Sequence, residues 1–180
     1  LAYHGRPDPR KTAHASVMNP PGPRSILITG CSSGIGRCVA DGLPARGHRV
    51  FATARKDEDV VRLAADGFEA FRLDLDDSAS LHAAVDAVLE RTGGTLDALF
   101  NNGAYGQAGA VEDLSREVLR AQFETNLFGW VELTNRVIPV MRRQGHGRIL
   151  QNSSVLGFAA MPYRGAYNAS KFALEGLSDT

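Results

Sequence analysis

The feature that most constrains the fold is a short apolar run, SILIT (25–29), which leads directly into the glycine-rich segment TGCSSGIG (29–36). A run of this length is typical of a buried parallel strand, and the glycines let the chain turn sharply into a helix. Two kinds of site use this arrangement. The match to G-x-S-x-G (30–34) predicts a hydrolase nucleophile at Ser32, and the match to T-G-x-x-x-G-x-G (29–36) predicts a cradle for the phosphates of a dinucleotide.

The order of a strand followed by a helix recurs along the chain. Apolar or alternating runs predict strands over 25–29, 48–55, 68–75, 96–104 and 148–154. Helices are predicted over 36–47, 56–67, 76–94, 115–147 and 165–180, the first passing through Pro44 and the fourth kinked at Pro139. Five such repeats predict an α/β fold with a doubly wound parallel sheet, Rossmann-like, in the strand order 3-2-1-4-5 with right-handed crossovers.

Composition and charge limit the classes of function. The 20 lysines and arginines balance the 20 aspartates and glutamates, so no net field attracts nucleic acid or an anionic membrane. No apolar run approaches the roughly 20 residues that cross a bilayer, so no membrane-spanning segment is expected. Cys31 and Cys38 are too few for a disulfide framework or a zinc site, and no metal is predicted. These observations predict a cytoplasmic enzyme.

The two ends of the chain differ from its middle. In residues 1–24, prolines and basic residues interrupt any periodicity, and no continuous apolar stretch follows the charges as it does in a secretory signal. We therefore expect a disordered or non-native extension over 1–24, with Met18 as the natural start, and one domain over 25–180. Thr180 falls inside an amphipathic helix without a cap or breaker, so we expect a sequence that is cut short, without the last strands and the substrate lid.

Each glycine of the turn has a physical task if the turn holds a dinucleotide. Gly30 permits the tight turn, Gly34 lets a pyrophosphate approach the backbone, and Gly36 allows the helix and the strand to pack closely. The spacing differs from the common G-x-G-x-x-G fingerprint, so this motif alone is moderately specific.

A hydrolase needs an acid and then a histidine after Ser32. The histidines that follow are His48, which opens a predicted strand, His82, on an amphipathic helix, and His146, in a glycine-flanked turn. None of them is aimed by the pattern at the carboxyl end of the first strand. The hydrolase is therefore the weaker interpretation.

A second motif lies in NSSVLGFAAMPYRGAYNASK (152–171). The Y-x-x-x-K spacing puts Tyr167 and Lys171 on one face of a helix, one turn apart. Free tyrosine has a pKa of about 10, and a nearby ammonium lowers that pKa because it favours the phenolate, so Tyr167 fits a general acid or base. Ser154, at the end of the fifth predicted strand, fits a hydrogen-bond partner for a substrate oxygen. This set and the glycine turn both follow the carboxyl ends of predicted strands, and their conjunction favours the cradle at 29–36.

Together these motifs resemble the short-chain dehydrogenase/reductase family over about residues 25–180. The chain carries T-G-x-x-x-G-x-G (29–36), Asp74 after the third strand, NNGA (101–104), TN (125–126), SS (153–154) and YNASK (167–171). The resemblance implies an oxidoreductase whose catalytic tetrad is Asn126, Ser154, Tyr167 and Lys171. It implies that Tyr167 exchanges the proton with the substrate oxygen and that Ser154 orients that oxygen. Lys171 then binds the nicotinamide ribose and tunes Tyr167, and Asn126 distorts its helix and holds a water that links Lys171 to solvent.

The resemblance also implies a set of cofactor contacts. Asp74 bonds the adenine amino group, and Asn102 with its neighbours lines the adenine-ribose side of the cleft. The family usually has N-N-A-G where this chain has NNGA (101–104), which puts a Cβ where glycine is usual. The predicted cofactor-binding residues are Gly30, Ser32, Ser33, Gly34, Ile35, Gly36, Arg55, Asp74, Asn102, Gly103, Tyr167 and Lys171.

The end of the second strand bears on the choice of cofactor. NAD-specific members place an acid there to hold the ribose 2′-hydroxyl. Here the strand ends ATARK (52–56), with no acid before Asp57. The guanidinium of Arg55 fits a 2′-phosphate instead, and Ser32 or Ser33 adds a hydroxyl. We therefore predict NADP(H) in preference to NAD.

Within the family, TGCSSGIG, ATARK, DLD and SSVLG most resemble the branch of steroid and retinol dehydrogenases and bacterial aldehyde or ketone reductases. That resemblance implies a small substrate of moderately apolar character that interconverts between an alcohol and a carbonyl. It also implies a homodimer or homotetramer of the full-length protein through the helices at 115–143 and 166–180. A non-catalytic nucleotide-binding fragment or regulatory relative stays open as the alternative.

Overall fold

The sheet decides the architecture. The structure is a computed structural model that describes residues 23–180, so the expectations for residues 1–22, Met18 among them, lie outside the described residues. Five strands form one sheet: β1 (Ser25–Ile28), β2 (Arg49–Ala54), β3 (Glu69–Arg72), β4 (Ala98–Asn101) and β5 (Arg148–Gln151). All neighbours are parallel, in the order β3-β2-β1-β4-β5. The predicted fold and strand order are confirmed, with each strand shorter than its predicted range.

Six helices connect and follow the strands. They are α1 (Gly34–Gly42), α2 (Asp57–Ala65), α3 (Ser78–Thr92), α4 (Arg116–Phe123), α5 (Gly129–Gln144) and α6 (Gly165–Ser178). Short 3-10 turns lie at Pro44–Arg46, Val111–Asp113 and Val155–Gly157. A π-helical turn over Glu124–Phe128 joins α4 to α5.

Helices cover both faces of the sheet, because alternate residues of a strand point to opposite sides. Leu27 of β1 packs in a cluster with residues of α3 and α5, including Trp130 and Leu133. Its neighbours Ile26 and Ile28 pack in a second cluster with residues of α1 and α2. All four residues of β1 are buried, which explains why this strand is a continuous apolar run.

The two prolines inside predicted helices have different outcomes. The helix predicted over 36–47 ends at Gly42 and is replaced by the 3-10 turn at Pro44–Arg46. Proline has no N–H to donate and its ring clashes with the carbonyl four residues earlier, so it ends the regular hydrogen bonding. By contrast, α5 continues through Pro139 to Gln144, and the long helical stretch is disturbed earlier, at the π turn. Val137 and Val140, on either side of Pro139, are buried and hold that part of α5 against the core.

Candidate active site

The turn after β1 brings β1 and α1 into close contact. Gly30 has a φ of +70°, in the left-handed region, and a Cβ there would lie 2.7 Å from Gly103 Cα. A Cβ on Gly36 would collide with Gly30 O and Asn102 Nδ2. Gly34 has a φ of +60° and open space around it. The tight turn and the close helix packing predicted for these glycines therefore both appear in the structure.

Thr29 clamps this turn to the segment after β4. Its buried Oγ1 accepts hydrogen bonds from Asn102 N at 2.8 Å and Gly103 N at 2.9 Å. Asn102 Nδ2 donates to Thr29 O at 2.9 Å and to Gly30 O at 3.2 Å. The Asn102 side chain is thus engaged in holding the turn in shape. Sequence reasoning included Thr29 in the motif but gave it no role, although a polar residue at the end of a buried apolar strand is a usable signal.

A cleft of about 460 Å³ opens at this end of the sheet. Eight predicted cofactor-binding residues line it: Gly30, Ser32, Ser33, Ile35, Arg55, Asp74, Asn102 and Gly103. The other four predicted residues, Gly34, Gly36, Tyr167 and Lys171, do not line it. Eight residues that were not predicted do: Thr29, Lys56, Asp59, Leu73, Leu75, Ala104, Tyr105 and Thr125. Helix α1 begins at this cleft, and the side chain of its cap residue Ser33 makes no capping hydrogen bond. The amides of the first turn are therefore available to an anion.

Charged side chains of both signs border the cleft. Within residues 23–180, Arg55 forms no ion pair, and Lys56 lies 3.4 Å from Glu58. Asp74 Oδ1 accepts a hydrogen bond from Asp76 N at 3.2 Å, and its Oδ2 lies 3.6 Å from Arg72 Nη2. The cleft thus offers an unpaired guanidinium at the end of β2 and a carboxylate after β3.

The exchange of alanine and glycine in NNGA (101–104) does not strain the backbone. Tyr163 is the only non-glycine residue of the described chain with a positive φ, so Ala104 adopts an ordinary conformation. A Cβ on Gly103 would lie 3.3 Å from Leu75 Cδ1, which is tight contact and no collision. Both orders of the two residues are therefore compatible with this turn.

Tyr167 and Lys171 lie one turn apart on α6, as predicted. Lys171 is 1% exposed, and its Nζ lies 5.7 Å from the centre of the Tyr167 ring. Nζ donates a hydrogen bond to Asn152 O at 2.8 Å. Burial lowers the pKa of Lys171 to about 8, and the nearby charge of Glu175 acts in the opposite direction. The ammonium is therefore fixed in place close to Tyr167.

Trp130 is the side chain at this site that sequence reasoning missed. Its buried ring faces Lys171, with Nζ 4.3 Å from the ring centre, and its Nε1 donates to Gly103 O at 2.7 Å. The sequence did contain a signal for it: Trp130 follows Asn126 by four residues, and this spacing puts the two side chains on one face of a helix.

Polar and cation–π contacts close into a circuit around the sheet end. Asn152 Nδ2 donates to Asn102 Oδ1 at 2.9 Å, which links the acceptor of Lys171 back to the Thr29 clamp. We name this circuit the contact ring; its members are Thr29, Asn102, Gly103, Trp130, Lys171 and Asn152.

Asn126 lies within the π turn and is fully buried. Its Oδ1 accepts from Tyr105 N at 3.1 Å and its Nδ2 donates to Tyr105 O at 2.8 Å. Nδ2 also lies 3.2 Å from Ser170 Oγ on α6. The amide therefore ties the segment after β4 to the distorted helix and to α6.

Tyr167 borders a second hollow of about 440 Å³, and Ser154 lies close to it. It is lined by Ala104, Tyr105, Gly106, Leu156, Met161, Arg164 and Tyr167. Ser154 follows β5, and its Oγ accepts a hydrogen bond from Leu156 N at 3.1 Å. Ser154 is near this hollow through Leu156, but it is not one of its lining residues.

The three histidines of residues 23–180 lie away from Ser32. His82 lies 2.9 Å from Glu132, between α3 and α5, and His146 lies 2.9 Å from Asp97. His48 precedes β2, at the opposite end of the strands from the glycine turn. No hydrogen bond joins a histidine to Ser32 within residues 23–180, so the structure does not assemble the hydrolase set. In the same range, no helix is both long and apolar enough to cross a membrane.

Comparison with known families shows which family this chain matches. The family model of the short chain dehydrogenases matches residues 24–180. The chain belongs to this family. A relative among the short chain dehydrogenases, the uncharacterized oxidoreductase YbbO of Escherichia coli strain K12, is 45% identical over 156 residues, which cover 87% of this chain and 58% of that protein.

Relatives of the predicted branch also match. The 17-beta-hydroxysteroid dehydrogenase type 1 of Homo sapiens is 36% identical, with 86% of this chain and 50% of that protein covered. Retinol dehydrogenase 8 of Homo sapiens is 36% identical, with 88% and 53% covered. The predicted likeness to steroid and retinol dehydrogenases is confirmed, and the chain spans about half the length of these relatives.

Solved structures share this fold, and two of them contain a nicotinamide cofactor, NAD in one and NADPH in the other. One from Burkholderia phymatum, in complex with NAD, has a TM-score of 0.81 and 30% identity, with 88% of this chain and 58% of that chain covered. A variant of actinorhodin polyketide ketoreductase with NADPH has a TM-score of 0.79 and 34% identity, with 86% and 62% covered.

Proposed function

We propose that this short chain dehydrogenase is an NADP(H)-dependent oxidoreductase that interconverts an alcohol and a carbonyl compound, with Tyr167 as general acid and base. The observation that carries the proposal is the buried ammonium of Lys171, 5.7 Å from the ring centre of Tyr167 and linked through Asn152 and Asn102 to the glycine turn. A fixed positive charge beside a phenol favours the phenolate and lowers its proton affinity. Tyr167 also lines the second hollow, where a substrate oxygen can reach it.

The residues of this chain would handle the proton and the substrate oxygen. Tyr167 gives its proton to the oxygen during reduction and takes it back during oxidation. Ser154 Oγ already accepts a hydrogen bond from Leu156 N, so its own proton is available to that same oxygen. Asn126 holds Tyr105, at the boundary of both hollows, against the π turn, and a relay water beside it stays a prediction.

The first cleft fits a dinucleotide. The glycine turn lines it through Gly30, Ser32 and Ser33, and the first amides of α1 have no side-chain cap, so they are available to a phosphate. Asp74 supplies a carboxylate for the amino group of adenine. Lys171 does not line this cleft, and its role as a donor to the ribose is proposed from the family resemblance alone. When bound there, the nicotinamide supplies or accepts the hydride.

The preference for NADP(H) rests on Arg55. This guanidinium lines the cleft at the end of β2 without an ion-pair partner among the described residues, and a planar guanidinium binds phosphate with two parallel hydrogen bonds. Asp59, the acid that does line the cleft there, is ion-paired with Arg62. At the end of β2, the described residues therefore offer an unpaired cation to a 2′-phosphate and no unpaired carboxylate to a 2′-hydroxyl.

The substrate is proposed to be a moderately apolar ketone, aldehyde or alcohol. Tyr105, Leu156 and Met161 give the second hollow a mainly apolar wall. The names of the steroid and retinol dehydrogenases among the relatives support the same class. A homodimer or homotetramer of the full-length protein and a cytoplasmic location remain predictions.

A nucleotide-binding role without catalysis is the second candidate. Hydrogen bonds join the walls of the first cleft, where a nucleotide would bind. The second hollow, where a substrate would bind, is instead bordered by exposed side chains such as Met161, and this contrast favours the second candidate. Turnover distinguishes the two candidates.

The test replaces the proposed acid and keeps the rest of the site. Tyr167→Phe is expected to lower turnover of a panel of ketones, aldehydes, steroids and retinal by at least about a hundredfold, because proton transfer is lost. NADPH affinity, measured by calorimetry, should change by less than about threefold. Tyr163→Phe, an exposed tyrosine four residues earlier, is the matched control and should keep full turnover. Turnover retained by Tyr167→Phe would contradict the catalytic proposal, and NADPH binding without turnover by the unmodified chain would favour the second candidate.

A further inference from the structure

Trp130 is the single tryptophan of the protein, and its indole makes two different polar contacts while fully buried. The ring presents its π face to Lys171 Nζ at 4.3 Å. The ring N–H donates to Gly103 O at 2.7 Å, in the segment that also bonds to Thr29. One side chain of α5 therefore connects the proposed catalytic helix to the turn beside the cofactor cleft.

Lys171 needs such a contact because its charge has few other partners. It is 1% exposed, and within residues 23–180 no carboxylate forms an ion pair with it. Asn152 O accepts one of its three N–H bonds. A buried ammonium with so little compensation tends to lose its proton, and an uncharged Lys171 could not favour the phenolate of Tyr167.

The groups that face Lys171 can be named. Tyr167 and Glu175 lie on its own helix, Trp130 lies on α5, and the carbonyl of Asn152 lies after β5. Glu175 is the only ionised group among the described residues whose charge acts appreciably on the pKa of Lys171, and burial outweighs it. The face of an indole attracts a cation more strongly than that of any other side chain, and more so when water is excluded.

We propose that Trp130 is a positioning residue for Lys171, holding the side chain in its charged form between Tyr167 and Asn152 and tying it to Gly103. This inference rests on the proposed function in one respect only: an effect of Trp130 on catalysis would act through Lys171. The competing account is that Trp130 merely fills the core, as its neighbours on α5 do. The two accounts differ in the pKa of Lys171, which a filling role leaves unchanged when another apolar side chain replaces the indole.

The first experiment measures that pKa directly, by NMR of the lysine side chains as a function of pH. The sequence has three lysines, Lys11, Lys56 and Lys171, so each signal can be assigned. Trp130→Leu removes the π face, and the pKa of Lys171 should fall by about one unit, a tenfold change in the ratio of charged to neutral lysine. Trp130→Phe keeps a π face but removes the N–H donor, and it should lower the pKa by less than half as much.

Two controls accompany these variants. The exposed Lys56 should titrate identically in every protein. Val137→Ala removes buried volume from the same helix, two turns away from Trp130, and should leave the pKa of Lys171 unchanged. An unchanged or raised pKa in Trp130→Leu would overturn the proposal, since water entering the emptied volume raises it. An equal fall in the Phe and Leu variants would also overturn it, because the π face would then not matter.

The second experiment needs no change at Trp130. Because the protein has one tryptophan, its fluorescence reports this site alone, and its emission should show a step as Lys171 loses its proton. Lys171→Met, which keeps the length of the side chain without the charge, should abolish that step and leave the contribution of the tyrosines. A step that persists in Lys171→Met would overturn the proposal. Neither measurement requires turnover, so a chain that fails the test of the proposed function still decides the role of Trp130.

Discussion

The two hollows that meet at Ala104 and Tyr105 are built in different ways. The first cleft is bounded by backbone segments that bond to one another through Thr29 and Asn102. The second hollow is bordered by side chains that project into solvent, with Met161 53% exposed and the nearby Phe158 72% exposed. One region is fixed by contacts within the described chain, and the other is open.

This difference indicates where the sequence has freedom to change. In the first cleft, close contacts and buried hydrogen bonds limit which side chains fit. Breaking such a hydrogen bond or forcing a collision costs a few kcal/mol of stability. Around the second hollow, a substitution alters a surface and leaves the core intact. Substitutions should therefore be costly in the first cleft and mild around the second hollow, and four predictions test that contrast.

The largest expected effect is at Gly36. Gly36→Ala places a Cβ against Gly30 O, a backbone atom that cannot move aside, so we expect the free energy of unfolding to fall by about 3 kcal/mol and NADPH binding to be lost. Gly42→Ala, at the end of the same helix with nothing within 4 Å of its added Cβ, should be neutral or raise it by up to about 1 kcal/mol. Urea denaturation of both variants measures the difference, and equal stabilities would show that the turn is not rigid.

The next effect is a pH dependence at Lys171, the buried charge of the contact ring. Its pKa is about 8 in the folded protein against an ordinary 10.5, so between these values the unfolded chain binds more protons. Stability should therefore increase as the pH rises from about 8 to about 10.5, by about 3 kcal/mol from this group. Lys171→Met should remove that increase and be more stable than the unmodified protein at pH 7. Parallel slopes for the two proteins over this range would refute the burial argument.

A smaller effect is expected at Arg55, which concerns ligand binding and not the fold. Arg55→Gln should weaken NADPH binding by about tenfold or more, because a charge-assisted hydrogen bond to phosphate is lost, and should change NADH binding by less than twofold. Arg46→Gln, in the 3-10 turn after α1, serves as the charge-matched control. Calorimetric titration with both nucleotides gives the ratio, and an equal loss for NADH would assign Arg55 no role in choosing the cofactor.

The smallest effect is expected in the second hollow. Met161→Ala should change the free energy of unfolding by less than about 0.5 kcal/mol and leave NADPH affinity unaltered, because the side chain is mostly exposed. Met141→Ala, at the buried methionine of α5, should cost about 2 kcal/mol or more in the same assay. A large loss at Met161 would mean that the open region is more tightly built than its exposure indicates.

The sequence predicted those parts of the molecule that depend on neighbours along the chain. Alternating apolar runs and glycines sufficed for the order of strands and helices, and the requirement for a small residue at Gly36 followed from the motif. The end of α1 at Pro44 was also within reach, because proline removes a donor wherever it stands. The error there was to let the apolar periodicity outweigh the proline.

Contacts between distant segments could not be predicted in this way. The bond from Trp130 to Gly103 and the position of its ring against Lys171 depend on how α5 and α6 cross the sheet. The engagement of Asn102 with Thr29 and Asn152 likewise exists only once β1, β4 and β5 are side by side. A distorted helix at Asn126 was expected only from the family resemblance, since a period of 3.6 residues carries no sign of a π turn.

The contact ring has a thermodynamic consequence for a protein that binds a dinucleotide beside it. If the protonation of Lys171 strengthens nucleotide binding by some factor, linkage requires that bound nucleotide favours the protonation of Lys171 by the same factor. The change in the dissociation constant on protonation and the change in the pKa on nucleotide binding then have the same magnitude, so either one gives the other. The acidity of the surroundings and the occupancy of the nucleotide site would thus be linked through six residues that surround the end of one strand.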